Sequence, residues 1–293
     1  MHSVLVVNPA AGGGAAARVA EPVADRLRVA SEVRVVLPSS AEAATDAAAE
    51  AVASGADVLV VLGGDGLAHL AVQECAGSET ALAVVPSGTG NDLGRALGMP
   101  LNPISAARVV AEELAHGQFC RWDAGRVVGG RWFATVLCAG FDARVSARVN
   151  RMRWPRGKRA YDLAVLREMA NLRAMPLRVE TGDEVVERDA TLVAVANTRW
   201  YGGGIPVCPA ADPADGLFDL TVVERVNRRD LVRMLPHLRS GRHVDHPAVR
   251  TLRAATVRLG GANGWLAHAD GEPQVRLPTT IRCEPGALRV VAL

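Results

Sequence analysis

Three short apolar runs, Val4 to Val7, Val58 to Leu62 and Ala81 to Val85, each end directly in a polar, glycine-rich loop. The loops read Asn8-Pro9-Ala10-Ala11-Gly12-Gly13-Gly14, Gly63-Gly64-Asp65-Gly66 and Pro86-Ser87-Gly88-Thr89-Gly90-Asn91-Asp92. Short, wholly apolar runs bounded by such loops are strands buried on both faces, and longer helical stretches between them make the sheet parallel. The expected order is strand 4–7, helix 15–29, strand 32–37, alanine-rich helix 41–53, strand 58–62, helix 67–76, strand 81–85, then helices 92–98 and 103–116. Ligands of open parallel sheets bind beyond the carboxyl ends of the strands, so the three loops should share one edge.

The loop chemistry points to phosphate. Glycine lets backbone amides approach an anion closely, and a carboxylate such as Asp65 or Asp92 offers a hard oxygen to Mg²⁺. Asn91 or Asp92 would equally well cap a helix N-terminus. A Walker A loop is excluded, because the only lysine is Lys158, in Pro155-Arg156-Gly157-Lys158-Arg159. Gly88-x-Gly90-x-x-x-Gly94 does not have the dinucleotide spacing and follows the fourth strand rather than the first. Phosphate binding must therefore come from backbone amides, metal and arginine.

After about Gly117 the pattern changes. Arg121 to Val128 and Trp132 to Leu137 join around Gly129-Gly130, and Leu177 to Glu180 faces Ala190 to Ala196 across Thr181-Gly182-Asp183; both read as hairpins. Further strands are expected at 217–223, 255–259, 264–268 and 279–283, with a last one at 287–292 that would return to the first domain. Helical insertions are expected at 142–173 and 228–240. The fold class is thus an α/β parallel-sheet nucleotide-binding domain, 1–120, followed by a β-sandwich domain with helical insertions, 121–293.

The halves differ electrically. Residues 1–121 carry 7 Arg against 13 Asp and Glu, net −6, and the remainder carries 26 Lys and Arg against 18 acids, net +8. Much of that excess lies in Arg144, Arg148, Arg151, Arg153, Arg156, Lys158 and Arg159, with no acid between Ala143 and Tyr161 and with Met152 and Trp154 interleaved. Arg144, Arg148 and Arg151 share one helix face, which suits an anionic membrane surface or, more plainly, a solvated face. With 4% aromatics and no binding motif, nucleic acid is not expected as a partner. Five scattered cysteines suggest neither disulfides nor zinc, and no leader or membrane span is evident, so a cytoplasmic protein is expected. Two acidic turns remain, Pro209 to Asp219, where Asp215 and turn carbonyls could hold a cation, and His268-Ala269-Asp270-Gly271-Glu272-Pro273.

Asn8-Pro9 with its loop, Gly63-Gly64-Asp65-Gly66, Pro86 to Asp92, Asp215-Gly216-Leu217 and Asp270-Gly271-Glu272, in this order, resemble the bacterial diacylglycerol kinase and lipid kinase family. Gly140-Phe141-Asp142, Asn150 to Pro155 and Tyr201-Gly202-Gly203-Gly204 are similar to its actinobacterial members in particular. The resemblance implies a nucleotide domain and a β-sandwich domain with the active cleft between them, and transfer of the ATP γ-phosphate to a lipid hydroxyl. It implies nucleotide contacts from Asn8, Gly63, Gly64, Asp65, Gly66, Ser87, Gly88, Thr89, Gly90, Asn91 and Asp92. It further implies a carboxylate–water–Mg²⁺ network of Asp65, Asp92 and Asp215, a metal turn of Asp215 with the carbonyls of Asp212 and Leu217, and Glu272 as proton acceptor.

ATP and Mg²⁺ are the expected cofactors, diacylglycerol the expected acceptor, and the inner membrane face the expected place of action; a homodimer is compatible with this. Leu67, His69 and Leu70 depart from the family pattern, and Ser39 or Ser40 stands nearest to a threonine the family commonly carries after the second strand. The alternatives are a sphingoid or ceramide-type lipid kinase, a metabolite kinase of the NAD kinase type, and an inactive binding relative.

Overall fold

The computed structural model describes residues 1–152, 163–165, 167–169, 171–261 and 265–293. The chain divides into two compact units, residues 1–124 with 285–293, and residues 125–284.

The first unit contains β1 (His2–Val7), α1 (Ala15–Leu27), β2 (Glu32–Val36), α2 (Ala41–Ala53), β3 (Val58–Gly63), α3 (Asp65–Cys75), β4 (Ala81–Pro86), α4 (Asp92–Ala96) and α5 (Pro103–His116). Its sheet runs β4-β3-β1-β2, all parallel, with Val4 opposite Leu59 and Leu59 opposite Leu82. Every residue of β3 and β4 is buried, which is why those runs show no polar alternation. Helix α1 buries Ala16, Ala20, Val23, Ala24 and Leu27 along one stripe. Ser40 starts α2 by accepting the Ala43 amide at 3.1 Å, and Asn102 starts α5 by accepting those of Ile104 and Ser105. From β1 the chain passes to β2 on one side and then to β3 on the other. That reversal opens a crevice at the carboxyl ends of β1 and β3, where two of the glycine loops begin.

The second unit continues through β5 (Cys120–Val127), which begins in the first, to β6 (Trp132–Phe133), β7 (Val136–Gly140), α6 (Phe141–Arg151), β8 (Met175–Glu180), β9 (Val185–Ala196), β10 (Trp200–Tyr201), β11 (Ile205–Pro206), β12 (Phe218–Glu224), α7 (Arg228–Ser240), β13 (Val249–Ala254), β14 (Thr256–Gly261), β15 (Leu266–Ala269), β16 (Glu272–Arg276) and β17 (Thr279–Val290). Antiparallel pairing gives the order β16-β15-β7-β9-β8-β14-β17, and β12 joins β9 to β13. The core gathers around Phe133, stacked on Phe218 with ring centroids 5.7 Å apart. Gly125 is required there: a Cβ at that position would lie 2.1 Å from the Phe133 ring.

Four expectations need correction. The first is the hairpin partner of Leu177 to Glu180, which is Val185 to Arg188 rather than Ala190 to Ala196, because the turn is tighter and the far end of β9 pairs with β7 and β12. The two strands expected at 279–283 and 287–292 are one continuous strand, β17, whose first residues pair with β14 and whose Val290 pairs with Leu82 of β4. Pro285-Gly286 lies inside this strand. It is accommodated because Gly286 takes φ 62° and its amide donates to Asp123 Oδ1 at 2.8 Å. The Trp132 to Leu137 segment splits, so only β6 forms a hairpin with β5, while β7 pairs with β9 and β15. Strands β13 and β16 were not anticipated, because arginine and proline hide their short apolar alternation. Within the expected insertion 142–173, α6 and the helical residues 163–165 and 167–169 are described.

Candidate active site

At the carboxyl edge of the first unit's sheet, the loops touch through their backbones. A Cβ at Gly88 would lie 2.5 Å from the Gly64 Cα, and one at Gly12 would lie 2.9 Å from the Ser87 carbonyl oxygen. Glycine is thus demanded at both contacts by loop-against-loop packing. Gly12, Gly13 and Gly14 all have positive φ, a conformation costly to other residues. Asn8 holds its own turn, its amide donating to Leu62 O at 2.9 Å and its Oδ1 accepting from Ala10 N at 3.1 Å.

Asp65 ties the second and third loops together. Its Oδ2 accepts the Asn91 amide at 2.9 Å and its Oδ1 the Asp92 amide at 2.6 Å, both charge-assisted bonds. A Cβ at Gly90 would lie 2.3 Å from Asp65 Oδ2, so glycine is needed there too. The capping expectation for Asn91 is therefore revised. Asn91 occupies the cap position of α4 at φ 58°, but its side chain closes its own loop, accepting from Gly88 N at 2.8 Å and donating to Gly88 O at 2.9 Å. The Asp65 carboxylate receives the first amides of α4 instead. Thr89 and Gly66 are exposed on this edge, Ser87 is half-buried, and Ser39 is exposed beyond β2. The Ser40 hydroxyl is used as a helix cap, leaving Ser39 as the available hydroxyl of the pair.

Leu67 is buried, its Cδ2 packing where a Cβ on Gly63 would fall, and His69 is buried with Gln73 donating to its carbonyl at 3.1 Å. Leu67, one of the departures from the family pattern, is thus built into the contact between α3 and β3.

In the second unit, Asp215 Oδ1 accepts the Leu217 amide at 3.0 Å and Asp212 Oδ1 accepts that of Ala214 at 3.1 Å, forming a tight turn. Asp215 Oδ2 accepts from Arg253, whose Nε also donates to Asp219 at 3.3 Å. Burial raises the Asp219 carboxyl above its ordinary range, Arg253 opposes that shift, and the charges of Asp215 and Asp212 add to it. Among the described residues no three His, Cys, Asp or Glu side chains gather to hold a metal alone. The all-oxygen donor set nevertheless fits Mg²⁺, which binds through one or two carboxylates together with carbonyls, water and substrate phosphates. A cavity of about 520 Å³ adjoins this turn, lined among others by Cys208, Asp219, Thr221 and Arg253.

Glu272 opens β16 opposite Ala269 of β15 and is half-buried. The preceding turn is fixed by Asp270 at φ 52°: its carboxylate accepts the amides of Ala134 at 3.2 Å and Thr135 at 2.9 Å, and the Thr135 hydroxyl at 2.5 Å. His268 is buried two strand positions before Asp270, and burial lowers its pKa, so its imidazole is neutral beside the carboxylate of Glu272.

The arginine face is only partly as expected. Arg148 Nε donates to Glu168 at 2.6 Å and Arg144 Nε to the same carboxylate at 3.3 Å, and Glu168 is buried. Two of the seven cations thus have an acidic partner beyond Tyr161, invisible in the Ala143 to Tyr161 stretch. The side chain of Arg151, and residues Arg153, Trp154, Arg156, Lys158 and Arg159, lie outside the described residues. Among the described residues no helix is long and apolar enough to cross a membrane.

Sequence reasoning also missed Arg95 and Arg253. Arg95, whose Nε donates to Gly90 O at 3.3 Å, stands three residues beyond the third loop and could have been found from helical spacing; Arg253, 38 residues from Asp215, left no local signal.

Residues 2–126 match the diacylglycerol kinase catalytic domain, and residues 135–292 match the YegS C-terminal NAD kinase beta sandwich-like domain. The diacylglycerol kinase of Mycobacterium tuberculosis is 40% identical over 98% of this chain and 93% of that protein. A probable YegS-like lipid kinase of Pseudomonas aeruginosa is 31% identical over 82% of this chain and 78% of its own length. Among solved structures, a putative diacylglycerol kinase from Bacillus anthracis superposes with a TM-score of 0.85 at 24% identity, over 100% of this chain and 95% of the other, and shows the fold. With both domains matched in order, a parallel-sheet α/β domain followed by a β-rich one, the chain belongs to the diacylglycerol kinase family of lipid kinases, a family of phosphotransferases.

Proposed function

We propose that this protein transfers the γ-phosphate of ATP to the hydroxyl of diacylglycerol, with Mg²⁺, giving phosphatidic acid. The observation that carries the reading is the single sheet edge on which three glycine loops meet, locked by Asp65 across the Asn91 and Asp92 amides. The nucleotide lies along Asn8, Ser39, Gly63, Gly64, Asp65, Gly66, Ser87, Gly88, Thr89, Gly90, Asn91 and Asp92. Phosphoryl transfer needs alignment and charge neutralisation more than covalent help, and preset backbone amides supply both without reorganisation.

Glu272 accepts the proton of the attacking hydroxyl as its oxygen bonds to the γ-phosphorus, and ADP leaves with the electron pair of the broken P–O bond. The turn that Asp270 closes on the Ala134 and Thr135 amides leads directly into Glu272, which supports this reading. Asp215, with the carbonyls of Asp212 and Leu217, would hold the cation, which when bound spreads negative charge away from the phosphates. Arg253 bonds the same Asp215 carboxylate that would hold the cation.

The protein acts at an anionic membrane face through Arg144, Arg148, Arg151, Arg153, Trp154, Arg156, Lys158 and Arg159. Glu168 neutralises part of this surface by binding Arg144 and Arg148, so the residues from 153 to 159 carry most of the attraction. Salt-sensitive cosedimentation with anionic vesicles, absent with neutral ones, checks this.

The deciding experiment incubates the protein with labelled ATP and a panel of dispersed lipid alcohols. Labelled phosphatidic acid made only with Mg²⁺ and diacylglycerol supports the reading. The YegS-like relatives favour a second reading, another long-chain alcohol as acceptor, for which label would move to a sphingoid base or ceramide instead. ATP binding without transfer to any member of the panel would leave an inactive relative.

A further inference from the structure

The first unit reaches residue 124 without a lysine, yet a triphosphate brings several negative charges to loops that already carry Asp65 and Asp92. Beside any metal, a side-chain cation from this unit must be an arginine. Arg28 is held by Glu21 and Asp25, Arg34 by Glu50, Arg108 pairs with Glu112 and Arg121 with Glu79. Arg289, from the segment 285–293, stacks on the Phe119 ring and donates to the Glu79 carbonyl. Arg18 and Arg26 lie on the exposed face of α1. Arg95 alone of this set bonds a glycine loop, and among the described residues it makes no ion pair.

We infer that Arg95 is the phosphate-binding cation of the nucleotide site, a reading that rests on the proposed use of ATP. Its position is set by two anchors. The α4 backbone carries it, and that helix begins on the Asp65 carboxylate; its own Nε is tied to the Gly90 carbonyl at 3.3 Å. A guanidinium fixed through Nε keeps its Nη1 and Nη2 edge available, and that planar pair matches two phosphate oxygens, which a lysine ammonium cannot do. The third loop then recognises phosphate in two ways, by loop amides and by a side chain bonded to the same loop at Gly90. The missing lysine of a Walker A loop is replaced in charge, though not in geometry.

Isothermal titration of ATP, ADP and adenosine into the wild-type protein, Arg95→Ala, Arg95→Lys and the control Arg108→Ala tests this. Losing a charge-assisted bidentate contact should weaken ATP at least tenfold, about 1.4 kcal/mol, with ADP affected less and adenosine unchanged. Arg95→Lys should recover part of the loss, and Arg108→Ala should behave as wild type. ATP affinity of Arg95→Ala within twofold of wild type overturns the inference, as does an equal loss for adenosine, which would mean that Arg95 only shapes the loop. Failure of the wild-type protein to bind ATP overturns this inference together with the proposed function, whereas an unaffected Arg95→Ala beside a binding wild type removes Arg95 alone.

Discussion

Asp65 in the first unit and Asp270 in the second perform the same backbone task with different means. Each carboxylate accepts two successive amides, of Asn91 and Asp92 in one case and of Ala134 and Thr135 in the other, and so fixes a loop next to a chemically useful side chain. Asp65 does so among bare backbones, where Gly64, Gly88 and Gly90 admit no Cβ, and the product is a surface of amides. Asp270 does so within an antiparallel sheet, adding the Thr135 hydroxyl, and the turn it closes leads directly into Glu272. Under the proposed function, the anion-binding edge is made of backbone, and the proton-accepting position is one side chain beside a carboxylate-closed turn.

The sharpest way to break this contrast is Glu272→Gln. It should lower kcat on the order of 10²- to 10⁴-fold while the melting temperature and ATP affinity stay at wild-type values. Steady-state kinetics with a thermal scan reads both, and near-normal turnover would remove Glu272 from the chemistry. Asp65→Ala should do the opposite: two amides lose their acceptor, costing about 1–3 kcal/mol by urea unfolding, and ATP binding should fall with stability. Gly88→Ala probes the bare backbone itself. Pushing a methyl to 2.5 Å from Gly64 should cost about 1–3 kcal/mol, and titration should show ATP affinity falling while lipid binding is kept.

Asp270→Asn keeps the size and removes the charge, so stability should drop by about 1 kcal/mol and kcat should fall several-fold without change in the KM for ATP. The smallest effect concerns Asp219, whose carboxyl burial raises above its ordinary value of 3.8. A raised carboxyl binds its proton more tightly when folded, so its contribution is present below the unfolded value and is lost as pH rises through the folded one. The melting temperature of the wild type relative to Asp219→Asn should therefore decline as pH climbs from about 4 into the weakly acidic range, with Arg253 limiting the size. A difference that grows with pH would assign Arg253, not burial, the larger effect.

The first unit was largely legible because its signals are local. Apolar runs ending in glycine place β1, β3 and β4 and their loops, and helices 41–53 and 103–116 have the expected bounds. The second unit was less so. Its strands pair across long stretches of chain, as β12 does with β9, and the Asp215 turn is held by Arg253, 38 residues away, so short windows of sequence do not contain both members. For the glycines at 64 and 88 the sequence carried an incomplete reason. They were read as openings for an anion, whereas each already meets the other's backbone.

Strand β17 carries a further implication for how the protein is made. Residues 285–293 belong with 1–124, and Val290 completes the open side of β4 through its pairing with Leu82. On the ribosome the segment 1–124 emerges first, yet it must wait with one sheet margin bare until the whole of the second unit has been synthesised. The older part of the nascent chain is therefore the later to be finished, and its exposed margin is the place where a chaperone or a neighbouring nascent chain would compete with the protein's own last strand.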